Sequence, residues 1–209
     1  MRNKVVAIAN QKGGVGKTTT AVNLGAALAA MGERVLLVDI DPQGNTTSGT
    51  GLSKQEIESC IYDVLINERP LENIIIKTDW ENLFAVPATI QLAGAEIELV
   101  SMVSREAKLK RALQPVREEF DIILIDCPPS LGLLTINSLN AADGVMIPIQ
   151  CEYYALEGLG QLMNTIAIVR KHLNNDLRIE GVLLTMYDSR TNLSEQVAEE
   201  VSNYFKQYV

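Results

Sequence analysis

The sequence predicts an α/β protein built on a mostly parallel sheet with helices on both faces. Three observations carry that expectation. Short apolar runs alternate with helical patterns along most of the chain, as crossover-connected parallel strands require. The runs are solidly aliphatic, which suits strands buried on both sides. The composition agrees: 209 residues are 47% hydrophobic but only 5% aromatic, so the core must be mostly Val, Ile, Leu and Ala. A chain of this length holds one domain with a sizeable core.

The elements follow in order. Residues 5–9 (Val-Val-Ala-Ile-Ala) read as a buried strand leading into a glycine-rich loop. Residues 17–31 read as a helix, with Ala21, Leu24, Ala27, Leu28 and Met31 at helical spacing and Gly32 as the stop. Further strands are expected at 35–38, 83–86, 122–125, 144–149 and 179–185. Further helices are expected at 54–66, 91–100, 104–119, 131–141, 155–173 and 193–207. No repeat, low-complexity tract or linker interrupts them, so residues 1–209 read as a single domain.

Composition excludes several classes. No apolar run is long enough to span a bilayer, and the apolar run after Met1-Arg2-Asn3-Lys4 turns polar too soon for a signal peptide. Cys60, Cys127 and Cys151 form no C-x-x-C pair, which argues against a disulfide framework or zinc site and for a reducing cytoplasm. The net charge of −8 and pI of about 4.8 oppose non-specific binding to nucleic acid.

The strongest chemical signal is Lys12-Gly13-Gly14-Val15-Gly16-Lys17-Thr18-Thr19, set between a strand and a helix. The ordinary phosphate-loop motif has a glycine six residues before the lysine, and here that position is Gln11. The remainder fits. Gly13, Gly14 and Gly16 let the backbone turn its N–H groups inward, and the helix beginning at Lys17 adds its positive end. Lys17 would reach the β- and γ-phosphates of ATP, the Thr18 hydroxyl would ligate Mg²⁺, and Thr19 would bond the α-phosphate. The plain alternative is a glycine turn with two surface lysines.

Carboxylates complete the pattern. Asp39 and Asp41 follow the second strand and share a face if extended; their plain alternative is turn capping beside Pro42. Residues 122–125 run into Asp126, an apolar strand ending in an acid, which would hold Mg²⁺ through water. Cys127 lacks a neighbouring base in sequence and reads as a packing residue. Lone His172 reads as a helix-end dipole partner, Trp80 as surface or lid packing, and the charge run from Arg105 to Arg111 as a solvated helix face.

These motifs resemble the Soj-type ParA family of P-loop partitioning ATPases, with the K-G-G-x-G-K-[ST] form of the loop known as deviant Walker A. Segments such as Pro87-Ala88-Thr89-Ile90-Gln91, Gln150-Cys151-Glu152-Tyr153-Tyr154 and Thr185-Met186-Tyr187-Asp188 extend the resemblance over nearly the whole chain. It implies that Lys12 reaches a partner's nucleotide in trans. It implies that Asp41 orients the attacking water, while Asp39 supports the loop or the metal's water shell. Cys127-Pro128-Pro129 resembles the second switch. The nucleotide-binding set is then Lys12, Gly13, Gly14, Val15, Gly16, Lys17, Thr18, Thr19, Asp39 and Pro128, with Thr18 and Asp126 at the metal.

Further expectations follow from the resemblance. ATP closes a homodimer, the dimer binds non-specific DNA, and a ParB-like partner stimulates hydrolysis. The protein is cytoplasmic and nucleoid-associated, without membrane attachment. Arg190 matches a position implicated in DNA contact; its alternative is a pair with Asp188 on a solvated loop. Family members continue about forty residues further. The competing reading is a regulatory or metabolic P-loop ATPase acting without DNA.

Overall fold

The structure, a computed structural model, describes residues 3–152 and 158–209. Seven strands form one sheet: β1 (Lys4–Ile8), β2 (Val35–Asp39), β3 (Ile76–Lys77), β4 (Leu83–Val86), β5 (Ile122–Asp126), β6 (Gly144–Gln150) and β7 (Arg178–Thr185). Their spatial order is β3-β4-β2-β5-β1-β6-β7, and every pairing is parallel except the short edge pair β3–β4. The expected strands are all present; β3, only two residues long, carries too little pattern to be read in advance.

The aliphatic runs sort onto two faces by strand alternation. Val6, Ile8, Val35, Leu37 and Leu124 face one way, against Ala21 and Ala29 of α1 (Lys17–Ala30). At Gly25, in the middle of α1, an added Cβ would stand 2.7 Å from Leu37 Cδ2, so any side chain there would force Leu37 to shift. Ala7, Leu36, Val38, Ile123 and Ile125 face the other way, into a larger core. That core is shared by α3 (Ile61–Leu65), α4 (Leu92–Glu98), α5 (Lys108–Leu113), α6 (Leu133–Ala141), α7 (Leu159–His172) and α8 (Asn192–Phe205). Helices on both faces are therefore present, in unequal layers.

Two expected helices are shorter than their patterns, each for a local reason. The helix expected at 54–66 begins only at Ile61. There Asp63 accepts the Cys60 N–H at 2.9 Å in a capping box, and 53–60 stays in turns. The helix expected at 104–119 divides into a 3₁₀ turn at Arg105–Ala107, α5, and another turn at Arg117–Glu119. Pro115 lacks an N–H and its ring crowds the carbonyl four residues back, so α5 stops before it. The helix expected from 155 is α7 from Leu159; residues 155–157 lie outside the described residues, as do Tyr153 and Tyr154. A short helix not foreseen, α2 (Asn45–Gly49), follows β2.

Register decides the functional edge. Ile8 pairs with Asp126, and Asp126 with Asp39, so the ends of β1, β5 and β2 form one row. The glycine-rich loop leaves β1 at that row, at the carboxyl edge where parallel sheets bind ligands.

Candidate nucleotide site

The phosphate loop is held from outside by the ends of neighbouring strands. Asn10 donates from Nδ2 to the Pro148 carbonyl of β6 at 2.7 Å, and its Oδ1 accepts the Lys12 N–H at 3.0 Å. Thr185, closing β7, donates to the Val15 carbonyl at 2.9 Å. Gly16 sits at φ 90°, a conformation other residues resist, and turns the chain into α1. Gly13, Gly14 and Thr19 are exposed along the loop, while Val15 anchors it in the core.

Lys17 is only 6% exposed, and its ammonium donates to the Lys12 carbonyl at 2.9 Å across the loop. Burial pulls its pKa below the usual lysine value, with Asp126, Cys127 and Asp41 acting in opposition. A buried cation interacts strongly with a nearby anion because little screening remains.

Asp126 is 1% exposed. Its Oδ2 accepts two hydroxyls, Thr18 Oγ1 and Thr46 Oγ1, each at 2.7 Å. Its Oδ1 is buried and has no hydrogen-bond partner among the described residues. Burial raises the Asp126 pKa; the two hydroxyls and Lys17 oppose that shift, and Asp41 adds to it. Buried carboxylate oxygens are normally paired. An orphaned acceptor beside the Thr18 hydroxyl is what a hydrated divalent cation would satisfy, so these residues fit Mg²⁺.

The two strand-end aspartates are both engaged within the chain. Asp39 is fully buried; its Oδ1 accepts the Asp41 N–H at 3.2 Å, and its Oδ2 accepts the Thr47 N–H at 2.8 Å and hydroxyl at 2.7 Å. Thr47 in turn accepts the Ala88 N–H at 2.9 Å. Asp41 Oδ1 accepts the Gln43 N–H at 2.9 Å, and its carbonyl accepts the Gly44 N–H at 2.9 Å, closing a turn. Turn capping, the plain alternative for this pair, is therefore present in the structure. Asp41 also lies near enough to act electrostatically on both Lys17 and Asp126.

Burial pushes the Asp39 pKa up to about 7, against the bonds from Thr47 and the Asp41 N–H. The folded state then binds a proton that the unfolded chain releases above its ordinary value of 3.8. Stability from this group is therefore lost as pH rises toward 7, by at most about 1.4 kcal/mol per pH unit. Urea unfolding of the parent and Asp39→Asn at pH 5, 6 and 7 checks it. The variant's stability relative to the parent should rise with pH, and a constant difference refutes the protonated Asp39.

Lys12 Nζ is 4.0 Å from the Glu152 carboxylate, with its side chain one-third exposed. Cys127 is buried, its thiol pushed up to about 12 by desolvation, as befits packing rather than nucleophilic chemistry. Pro128 is buried beside it. Glu96 of α4 accepts the Leu133 and Leu134 N–H groups at 3.1 and 3.2 Å, capping α6 just after this segment. Arg190 forms a bidentate pair with Asp188, at 2.9 and 2.7 Å, and its side chain is 86% exposed. A groove of about 600 Å³ opens beside Gly16 and Thr19, walled by Leu24, Met146, Leu183 and Met186. Asn10, Thr46, Thr47 and Thr185 were assigned no part in the site from sequence. Nothing in local spacing shows that a hydroxyl returns to an acid 80 residues away.

Comparison with known proteins bears on this site. A family model described as "AAA domain" matches residues 3–179. The sporulation initiation inhibitor protein Soj of Bacillus subtilis (strain 168) is 66% identical over 206 residues, covering 99% of this chain and 81% of that protein. The chromosome partitioning protein ParA of Myxococcus xanthus (strain DK1622) is 57% identical over 206 residues, covering 99% and 73%. A crystal structure of cobyrinic acid a,c-diamide synthase from Mycobacterium smegmatis, with bound ADP and magnesium, superposes with a TM-score of 0.92 at 46% identity, covering 97% of this chain and 82% of that one.

Proposed function

This chain belongs to the Soj/ParA family of chromosome-partitioning ATPases, and from that membership we propose that it is a Mg²⁺-dependent ATPase working as a dimerising switch that partitions DNA. The observation that carries the reading is the pairing of desolvated Lys17 with the orphaned Asp126 oxygen beside Thr18. Gly13 to Thr19 would cradle the phosphates, and the groove beside Thr19 has the size for a nucleoside. Thr18 and Asp126 would hold Mg²⁺, which supplies charge neutralisation at the phosphates when bound. Asp41 would orient the attacking water, with Asp39 fixing its segment and Pro128 flanking the second switch.

Lys12 lies at the mouth of the loop and is partly exposed, a placement compatible with action on a second subunit's nucleotide. A cation supplied in trans would make hydrolysis depend on assembly. The DNA step must overcome a net charge of −8 through local basic groups, since screening confines charge to about 8–10 Å. Arg190 is exposed enough to serve, but it must exchange Asp188 for a phosphate. A ParB-like partner would accelerate turnover and release, with the protein residing on the nucleoid.

The synthase name of the structural relative supports a second reading, ATP-driven amidation of a carboxylate substrate without DNA. The higher identity of the two partitioning relatives over the same residues favours the first. One experiment separates them: sedimentation and DNA retention with a non-hydrolysable ATP analogue, for the parent, Lys12→Ala and Arg190→Ala. The parent should dimerise and retain DNA of any sequence, with retention falling steeply as salt rises. Lys12→Ala should bind nucleotide yet stay monomeric. Arg190→Ala should dimerise yet retain less DNA. A parent that neither dimerises nor retains DNA overturns the switch, and dimers of Lys12→Ala overturn the trans lysine.

A further inference from the structure

The geometry points to Thr46 as a positioning residue that fixes which oxygen of Asp126 is offered to the metal, tying that choice to the segment bearing Asp41. The inference rests on the Mg²⁺–nucleotide reading of the site. Thr46 lies in α2, is 1% exposed, and sends its hydroxyl 2.7 Å to Asp126 Oδ2. The same oxygen accepts the Thr18 hydroxyl at 2.7 Å, while Oδ1 has no partner among the described residues. The distribution is lopsided: two donors on one oxygen and none on its buried neighbour.

That asymmetry has a chemical consequence. A hydroxyl has one proton and two lone pairs. With its proton committed to Asp126 Oδ2, the Thr18 oxygen keeps its lone pairs for a cation. The terminal torsion of an aspartate is broad and roughly two-fold, so one hydroxyl alone holds the carboxylate loosely. Thr46 supplies the second restraint, from another element, and leaves Oδ1 as the unengaged acceptor. Carboxylate ligands held this way by outer hydrogen bonds bind metal better, and losing such a partner typically costs 10–100-fold in affinity or activity.

The restraint also runs in the other direction. Only Pro42, Gln43, Gly44 and Asn45 separate Asp41 from Thr46, and the first three belong to the turn that Asp41 opens. Thr47, the next residue, is bound to Asp39 and Ala88. The start of α2 is thus pinned to β2 through Thr47 and to β5 through Thr46. The Thr46 bond ties Asp126 to the segment that follows Asp41.

The test titrates Mg²⁺ into parent, Thr46→Val and Thr46→Ser while following binding of a fluorescent non-hydrolysable ATP analogue, with a parallel titration in EDTA and a thermal melt. Thr46→Val keeps the shape and loses the hydroxyl. It should raise the Mg²⁺ half-saturation at least about tenfold while leaving the EDTA affinity within twofold. Thr46→Ser should restore the parental value. Loss of affinity to the same degree with and without Mg²⁺ marks a structural role and overturns the inference, as does an unchanged half-saturation in Thr46→Val. Should the valine variant fail to fold, Thr46→Ala replaces it against the same serine control, and a serine variant as impaired as the alanine overturns the inference. A parent indifferent to Mg²⁺ overturns the site reading and the Thr46 role together. A responsive parent matched by Thr46→Val overturns Thr46 alone.

Discussion

Lys17→Ala is expected to abolish nucleotide binding, with an affinity loss of roughly 10²–10⁴-fold. Two charge-assisted hydrogen bonds to phosphate oxygens are worth about 1.5–3 kcal/mol each, at about 1.4 kcal/mol per tenfold change in affinity. Burial enlarges the loss, because a largely buried ammonium gives up less hydration to a phosphate than an exposed one does. Lys17 also offsets the charge of Asp126. Without it the phosphates would meet Asp126 and Asp41 with no buried cation between them. Titration of a fluorescent ATP analogue reads the loss, and a melt near the parental temperature separates it from unfolding. Affinity within tenfold of the parent would remove Lys17 from the phosphate-binding role.

Asp41→Ala is expected to keep ATP affinity and lower turnover by about 10²-fold or more, the usual scale for a group that positions or activates water. The structure adds a needed control. Asp41 Oδ1 also accepts the Gln43 N–H, so alanine removes a turn bond together with the charge. Asp41→Asn retains an acceptor at that position. If both variants lose turnover, the carboxylate charge does the chemistry. If asparagine restores turnover, the side chain serves only the turn. Outright loss of ATP affinity in Asp41→Ala would assign it to the metal or to the fold. Asp39 would be a poor replacement as the water-positioning group, because both of its oxygens are engaged by Thr47 and the Asp41 backbone.

Much of this site is legible in the sequence. G-G-x-G-K-T-T between a buried strand and a helix can serve few purposes, because its glycine positions and its lysine all answer to one ligand. The acid after 122–125 was legible for a similar reason: an apolar strand ending in Asp acquires meaning once a phosphate loop is present. Helix lengths at 54–66 and 104–119 were less so. Periodicity extends through capping boxes and prolines, whereas the helix does not, as Cys60 with Asp63 and the stop before Pro115 show.

The layered α/β architecture, the phosphate loop and the identity of Asp126 were readable along the chain, because each is encoded by neighbours within a few residues. How Asp126 is bonded depends on the folded chain. Strand register aligns Asp39 with Asp126 and Asp126 with Ile8, and α2 then brings Thr46 onto the oxygen that Thr18 already holds. Asn10 reaching Pro148 and Thr185 reaching Val15 are decisions of the same kind. A hydroxyl or amide has no periodic signature, and its partner is chosen by which strand ends meet at one edge of the sheet. That meeting is set by the order β2-β5-β1-β6-β7, a property of the folded chain rather than of any local run of residues.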